Sequence, residues 1–516
     1  MPSRFSDRRP ALRRTRRLAG FLTALLLLAL PVGAVDGPSA IRVRLFEDTS
    51  TQRLTLRAER PLRLSGPALV SQLDADEAFT LTVQDGQVMV GGRGASERVA
   101  VLTLTGAFSL TVPGGGRLAT RRYEGDLRVD VDPARPGALR LVHTLDLETY
   151  VGAVVQREYG MDDLEGSRAM AVAARTYALR SRGRFGRDYD LVDNISAQVF
   201  FGLEGVRKVA RDAAETTRGE VLLHGGSLIE AVYSASSGGY TADNDDVWGT
   251  APVSYLRARP DPYDASASPH ARWATRVPRA ALLQRLGHAL SVPVEGFTLA
   301  GVRADGRVGG VNVLLAGGRT QMIAPSRFRS IVNGTFGTMS LRSTRFTHRM
   351  EGGESVFEGS GFGHGVGLSQ WGARGQALAG RSYRDILGFY YPGTTLAVLG
   401  NSDFRFLLPS TSEPVGEPIL ADAPVLVDPG FTTGLLPSDA GSGAAVDAAL
   451  ERLRGQGSRT PVSSRPQAET RPSEPAPEPS REQPAAVAGN VSAARPVLWN
   501  TPAAAREAPA RRRGAW

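Results

Sequence analysis

Glu158 is the residue whose type and position most invite a chemical role. The segment Asp146-Leu-Glu-Thr-Tyr-Val-Gly-Ala-Val-Val-Gln-Arg-Glu158 has helical spacing, with Leu147, Tyr150, Val151, Val154 and Val155 at i, i+3, i+4, i+7 and i+8. At ~100° per residue, position 158 falls within about 20° of Leu147 on the helical wheel. The carboxylate therefore lies on the apolar stripe, while Glu148, Gln156 and Arg157 lie on other faces. A carboxylate there is costly unless something satisfies it. Partial desolvation raises its pKa toward the range where a general acid works. The position also fits an end-of-helix glutamate that frays into water or pairs with an arginine, because Tyr159-Gly160 stops the helix at once.

Residues 359–367, Gly-Ser-Gly-Phe-Gly-His-Gly-Val-Gly, are a second candidate. As an extended strand they present one bare face and place Ser360, Phe362, His364 and Val366 on the other. A bare face admits a ligand or another backbone at close range. His364 is then a base, a ligand or a hydrogen-bonded structural residue. No Gly-Lys-Ser/Thr follows, which excludes a phosphate loop. The six histidines lack metal-like spacing, Ser236-Ser237-Gly238-Gly239 lacks the nucleophile elbow, and Asp243-Asn-Asp-Asp246 lacks the calcium-loop pattern. The absence of cysteine excludes disulfides, thiol catalysis and Cys-ligated zinc. No cofactor or metal is expected.

These residues need helices and strands to hold them. Asp146 or Thr144 caps the first helix, and Ser167 to Ser181 forms a second. On the second, Ala169, Ala173 and Ala174 form a small face, and Met170, Ala174 and Tyr177 turn toward the core. Arg168, Arg175 and Arg182 share a face, from which Arg175 either reaches Glu158 or points to solvent. Alternation at Ile41-Arg-Val43-Arg-Leu45, Leu54-Thr-Leu56 and Phe79-Thr-Leu-Thr-Val83 predicts strands, and Asp85-Gly86 a hairpin turn. The expected fold class is α+β, mixed helices and strands around a cleft. It comprises a β-rich region at 36–130, a core in two parts at 136–265 and 346–400, and a mixed segment at 266–345. Residues 405–516 hold 16 of the 33 prolines and predict a disordered tail.

Residues 1–34 read as an export signal. Seven arginines against one acid precede an apolar run at 18–30 and a small-residue cleavage pattern, Val32-Gly33-Ala34. Arg16-Arg17 with Phe21-Leu22 fits the twin-arginine route. The expected location is the periplasm, the cell wall or the exterior, with membrane association if the segment stays uncleaved. No second span is expected. The net charge of +9 comes from the ends: residues 1–17 contribute +6 and 451–516 contribute +5, leaving −2 for the body. That offers no footprint for nucleic acid.

The ordered segments Tyr150-Val-Gly-Ala-Val-Val-Gln-Arg-Glu158, Ala171-Val-Ala-Ala-Arg-Thr-Tyr-Ala-Leu179, Gln198-Val-Phe-Phe-Gly202, Ala231-Val-Tyr-Ser-Ala-Ser-Ser-Gly-Gly239 and Gly361-Phe-Gly-His-Gly-Val-Gly-Leu-Ser-Gln-Trp-Gly-Ala373 resemble the SpoIID/LytB family of sporulation proteins D and amidase enhancers. Val247-Trp248, Phe328-Arg329 and Tyr390-Tyr-Pro-Gly393 continue the match, which covers roughly 136–396. The resemblance implies lytic cleavage of peptidoglycan glycan strands, preferably stripped of stem peptides, with Glu158 as the catalytic acid. It implies Arg175, Tyr177, Gln198, Tyr233, Ser236, His364, Gln370 and Trp371 as substrate-binding residues, Trp371 offering a face for sugar stacking or filling the core. It adds a cell-wall amidase as a possible partner, the chain then acting as a non-catalytic enhancer; a third reading is a scaffold that recruits partners through its tail. The chain departs from the pattern at Phe200, where the family has tyrosine, and at Tyr159-Gly160, where it has Met-Pro. Val192 and Ala197 stand where some members carry zinc-binding cysteines.

Overall fold

The computed structural model describes residues 39–66, 70–92, 95–113 and 120–399. The export segment at 1–34 and the tail at 405–516 lie outside these residues. Helices and strands mix in several sheets, the expected α+β class.

Eleven strands form the largest sheet: β1 (Ala40–Leu45), β2 (Arg53–Ala58), β3 (Leu62–Ser65), β4 (Val70–Leu73), β5 (Ala78–Gln84), β6 (Gln87–Gly92), β7 (Ala95–Val99), β8 (Val101–Thr111), β9 (Thr120–Val131), β10 (Leu139–Asp146) and β11 (Leu191–Val192). Their order is β11-β1-β10-β9-β8-β2-β5-β6-β7, with β3 pairing β8 and β4. Alternation shows directly in β2, where Leu54, Leu56 and Ala58 are buried and Arg53, Thr55 and Arg57 are exposed. Asp85 and Gly86 both take positive φ, 50° and 71°, and close the β5–β6 hairpin between paired Gln84 and Gln87.

The sheet leads straight into the helical core. Asp146 ends β10 and also caps α1 (Leu147–Val154), accepting from Thr149 N. A π turn (Val155–Tyr159) follows, then α2 (Leu164–Arg180), which is buried along most of its length. Around it lie α3 (Lys208–Thr216), β12 (Glu220–His224), β13 (Ser227–Leu228), β14 (Tyr233–Ser234), α4 (Asn244–Trp248) and α5 (Pro262–Ala267). One apolar cluster runs from Ile41 through Val151 and Ala173 to Tyr391, so the large sheet and the helices share a core.

Residues 273–359 build a second core. It contains β15 (Trp273–Pro278), α6 (Arg279–Leu290), β16 (Val294–Val302), β17 (Val308–Leu315), β18 (Thr320–Ile323), α7 (Pro325–Phe336), β19 (Phe346–Glu351) and β20 (Glu354–Gly359). Leu282, Leu286, Val311, Val313, Phe328 and Phe357 fill it. The chain then returns through β21 (Leu368–Ser369), α8 (Gln370–Leu378), α9 (Tyr383–Tyr390) and β22 (Thr395–Val398). β21 pairs parallel with β14, Tyr233 opposite Leu368, which brings the two parts of the first core together.

The glycine-rich segment is not the extended strand its spacing suggests. Gly361, Gly363, Gly365 and Gly367 all have positive φ, between 71° and 99°, so the backbone winds rather than extends. Only glycine fits this path. A Cβ on Gly365 would lie 1.9 Å from Arg307 Nη2, and one on Gly367 2.2 Å from the Val232 carbonyl oxygen.

Candidate functional site

Glu158 sits in the π turn. Its i+5 hydrogen bonding continues to Gly160, whose N–H donates to the Val155 carbonyl at 2.9 Å from a left-handed conformation, φ 60°. The sequence reading carried an α-helix to 158; the wider turn instead rotates Glu158 off the centre of the apolar stripe. The side chain is half-buried. Burial pushes the pKa from 4.5 up to about 7, against the lowering effect of the Val199 N–H, which donates to Oε1 at 2.8 Å, and of a hydrogen bond with the Gln370 side chain. Among the described residues, no arginine or lysine bonds to this carboxyl.

A polar chain lies near this carboxyl. Tyr150 OH donates to Gln198 Oε1 at 3.2 Å, and Gln198 Nε2 donates to Tyr233 OH at 2.9 Å. Burial holds the hydroxyls of Tyr150, Tyr177 and Tyr233 in their neutral form, and the Glu158 charge adds to the effect at each. Tyr150 was visible in the sequence only as an apolar stripe position, one turn pair before Glu158. Its hydroxyl has no local signature.

His364 buttresses this wall and is no free base. Its Nδ1 accepts from Val366 N at 3.0 Å, and the ring donates to the Tyr233 carbonyl. Burial and the charges of Arg307 and Arg329 lower its pKa to about 4, against that Tyr233 bond. Beside it, at 5.3 Å between ring centroids, stands the half-buried Trp248. Trp371, the residue singled out for stacking, is more deeply buried, at 8% exposure, with its indole N–H unpartnered among the described residues. Trp371 fills the core.

Two other expected site residues lie elsewhere. Arg175 is fully buried and pairs with Glu148, not Glu158: Nε donates to Glu148 Oε1 at 2.9 Å, and the guanidinium also donates to the Ala214 and Glu220 carbonyls. Glu148 is buried as well, against the expectation of an outward polar face. The wheel put it off the α1 stripe, but α2 covers that face and supplies the counter-ion. Ser236 donates to Asp264 Oδ1 at 2.9 Å within a buried network. Asp264 Oδ2 accepts from Ser369 Oγ at 2.6 Å, and Ser369 Oγ caps α8 by accepting from Gly372 N at 3.1 Å. Ser236 thus helps anchor the helix that begins with Gln370 and does not face the acid.

The departures from the family pattern have structural counterparts. Phe200 is fully buried and packs against Tyr150, Tyr123 and His143 at 5.2–6.1 Å between centroids. Tyr159 donates its hydroxyl to Asp163 at 2.9 Å, tying the π turn to the cap of α2. Among the described residues, no group of three or more His, Cys, Asp or Glu side chains is disposed to hold a metal ion.

The chain is similar in sequence to known proteins. Residues 135–224, which carry Tyr150, Glu158, Tyr177 and Gln198, match the family model SpoIID, stage II sporulation protein. The chain is similar to an amidase enhancer of Bacillus subtilis (strain 168), 30% identical over 45% of this chain and 38% of that protein. It is also 30% identical to stage II sporulation protein D of Bacillus amyloliquefaciens, over 50% of this chain and 75% of the relative. The corresponding protein of Bacillus subtilis (strain 168) is 28% identical over 51% of this chain and 78% of its own length.

Proposed function

The chain belongs to the stage II sporulation protein D family, and we propose that it is an exported lytic transglycosylase acting on the glycan strands of the cell wall, with Glu158 as its single acid and base. The observation that carries this reading is the carboxyl of the half-buried Glu158, pushed up to about 7 by desolvation with no cation bonded to it among the described residues.

Such a group is partly protonated at neutral pH, which an acid catalyst needs. In the first step Glu158 gives its proton to the glycosidic oxygen, and the C1–O bond breaks. In the second, the carboxylate left behind takes the proton of the muramic acid 6-hydroxyl as that oxygen closes onto C1. The product is a 1,6-anhydro sugar, no water is consumed, and Glu158 ends protonated as it began. One carboxyl suffices, unlike the carboxylate pairs of ordinary glycosidases. The Val199 N–H and Gln370 steady the carboxylate form between the steps, and Tyr150, Gln198 and Tyr233 supply the polar wall. Trp248 offers a sugar-stacking face.

A second reading is supported by the similarity to an amidase enhancer: the same cleft holds glycan without cutting it and presents it to a cell-wall amidase. Digestion of amidase-stripped glycan separates the two. Wild type should release 1,6-anhydromuramic products, detected by mass spectrometry, and Glu158→Gln should not. No anhydro sugar from wild type refutes the enzyme, and retained glycan binding by both proteins then favours the enhancer.

A further inference from the structure

The π turn that carries Glu158 is stitched at successive positions to one loop, residues 199–207. At Glu158 itself the bond comes from Val199 N at 2.8 Å. One residue earlier, Arg157 Nη2 donates to the Glu204 carbonyl at 3.0 Å. The last stitch is Arg207, the residue that precedes α3. Its backbone N–H and its Nε both donate to Gln156 Oε1, at 3.0 Å and 3.2 Å. Its Nη2 donates to the Gly160 carbonyl and, at 2.9 Å, to the Met161 carbonyl. One side chain therefore holds both ends of the turn, Gln156 near its start and Gly160 just past its end.

Arg207 is exposed, and these partners are all neutral oxygens. The guanidinium is planar and its N–H groups point in fixed directions, so it sets the spacing of the acceptors it joins. This turn needs such a brace. A π turn is a rare, wide turn, and this one ends its helix, because Gly160 takes the left-handed conformation and the chain turns away. Helix ends fray, and Gln156, Arg157 and Glu158 are only half-buried. Tyr159 pins the buried side of the turn through Asp163, and Arg207 pins the outer side.

We propose that Arg207 is a positioning residue for the acid: its guanidinium clamps the two ends of the π turn, so that Glu158 stays against Val199 and Gln370 instead of fraying into water. Arg207 acts through the turn and not on the substrate. The inference rests on the reading of Glu158 as the acid, and its first test uses no activity.

That test is a double-mutant cycle in stability, run on the full chain between pH 4 and pH 9. Glu158→Gln is compared with its parent, once with Arg207 in place and once with Arg207→Met, which keeps the stem and the backbone N–H but removes the fork. With Arg207 in place, Glu158→Gln should gain Tm as pH rises through about 7. With Arg207→Met the gain should shrink or vanish, because the acid then ionises in water. Gln156→Leu removes the acceptor at the other end of the clamp and should act the same way. A general loss of packing would lower Tm alike with and without Glu158 and leave the gain unchanged. A direct charge effect would enlarge the gain, since removing a cation raises the pKa of a nearby acid. Either result overturns the clamp, as does the absence of any gain with Arg207 in place. Activity supplies the second arm. Arg207→Met should cut kcat about a hundredfold, the cost of misplacing a catalytic group by about 1 Å, with KM for glycan little changed; a rise in KM alone overturns the positioning role. If wild type releases anhydro sugar but the gain ignores Arg207, the enzyme stands and the clamp falls. If wild type releases none while the gain still depends on Arg207, the clamp stands and the enzyme falls.

Discussion

Replacing Glu158 by glutamine should make the folded protein more stable at alkaline pH and leave it inert. A carboxyl whose pKa rises from 4.5 to about 7 on folding binds its proton more tightly in the folded state. Folding stability therefore falls as pH rises from about 4.5 through about 7, and stays at its lower level beyond. At ~1.36 kcal/mol per pKa unit, the charged form is disfavoured by up to about 3 kcal/mol, and by less where the half-buried residue is screened by water. Glutamine keeps an oxygen to accept the Val199 N–H and carries no charge.

The assay is the Tm of both proteins between pH 4 and pH 9. Below pH 4.5 the difference should be near its minimum, because wild type is protonated. Above pH 7 the variant should gain a few degrees, about 1–3 kcal/mol. A difference that does not change with pH, or a variant less stable at pH 8, would refute the claim that folding desolvates this carboxyl. Activity supplies a second readout. Product release should fall as pH passes about 7 and the acid loses its proton, and Glu158→Gln should lose at least about a hundredfold to ten-thousandfold.

Three further outcomes follow from the same contacts. Glu148→Gln or Arg175→Met leaves a buried charge without its partner and should cost about 3–5 kcal/mol in urea unfolding; a change under about 1 kcal/mol would show the pair to be solvated. Gly365→Ala should destabilise more than Gly352→Ala, because both have positive φ but only the first would press a Cβ onto Arg307, and equal Tm losses would contradict the packing described. Trp248→Ala should raise the KM for glycan severalfold with little change in Tm, whereas Trp371→Ala should cost about 3–5 kcal/mol, as a core truncation does, and lower Tm accordingly; the reverse pattern would return the stacking role to Trp371.

Much of the frame was legible in the chain itself, because its signals are local. Alternation along Leu54-Thr-Leu56 marks a strand that buries those leucines. Asp85-Gly86 marks a turn that needs two positive φ values. The i, i+3, i+4 spacing of Leu147, Tyr150 and Val151 marks the buried stripe of α1, and it singled out Glu158. The alternating glycines were equally plain, but their spacing fits two backbones, and the winding one occurs because Arg307 and the Val232 carbonyl press against them.

Tertiary structure decided what each polar group meets. Arg175 was equally placed to reach Glu158 or solvent on its own helix; the fold turned it to Glu148, 27 residues earlier in the chain. Ser236 looked like a cleft residue until Asp264 claimed it. Gln370 and Val199 come to Glu158 from distant parts of the chain, and the charge of Arg329 acts on His364 from a segment with a hydrophobic core of its own. Burial of a polar atom is costly whoever satisfies it, so periodicity can show that a partner is needed. The partner's identity depends on contacts between distant segments, and these exist only once the chain has folded.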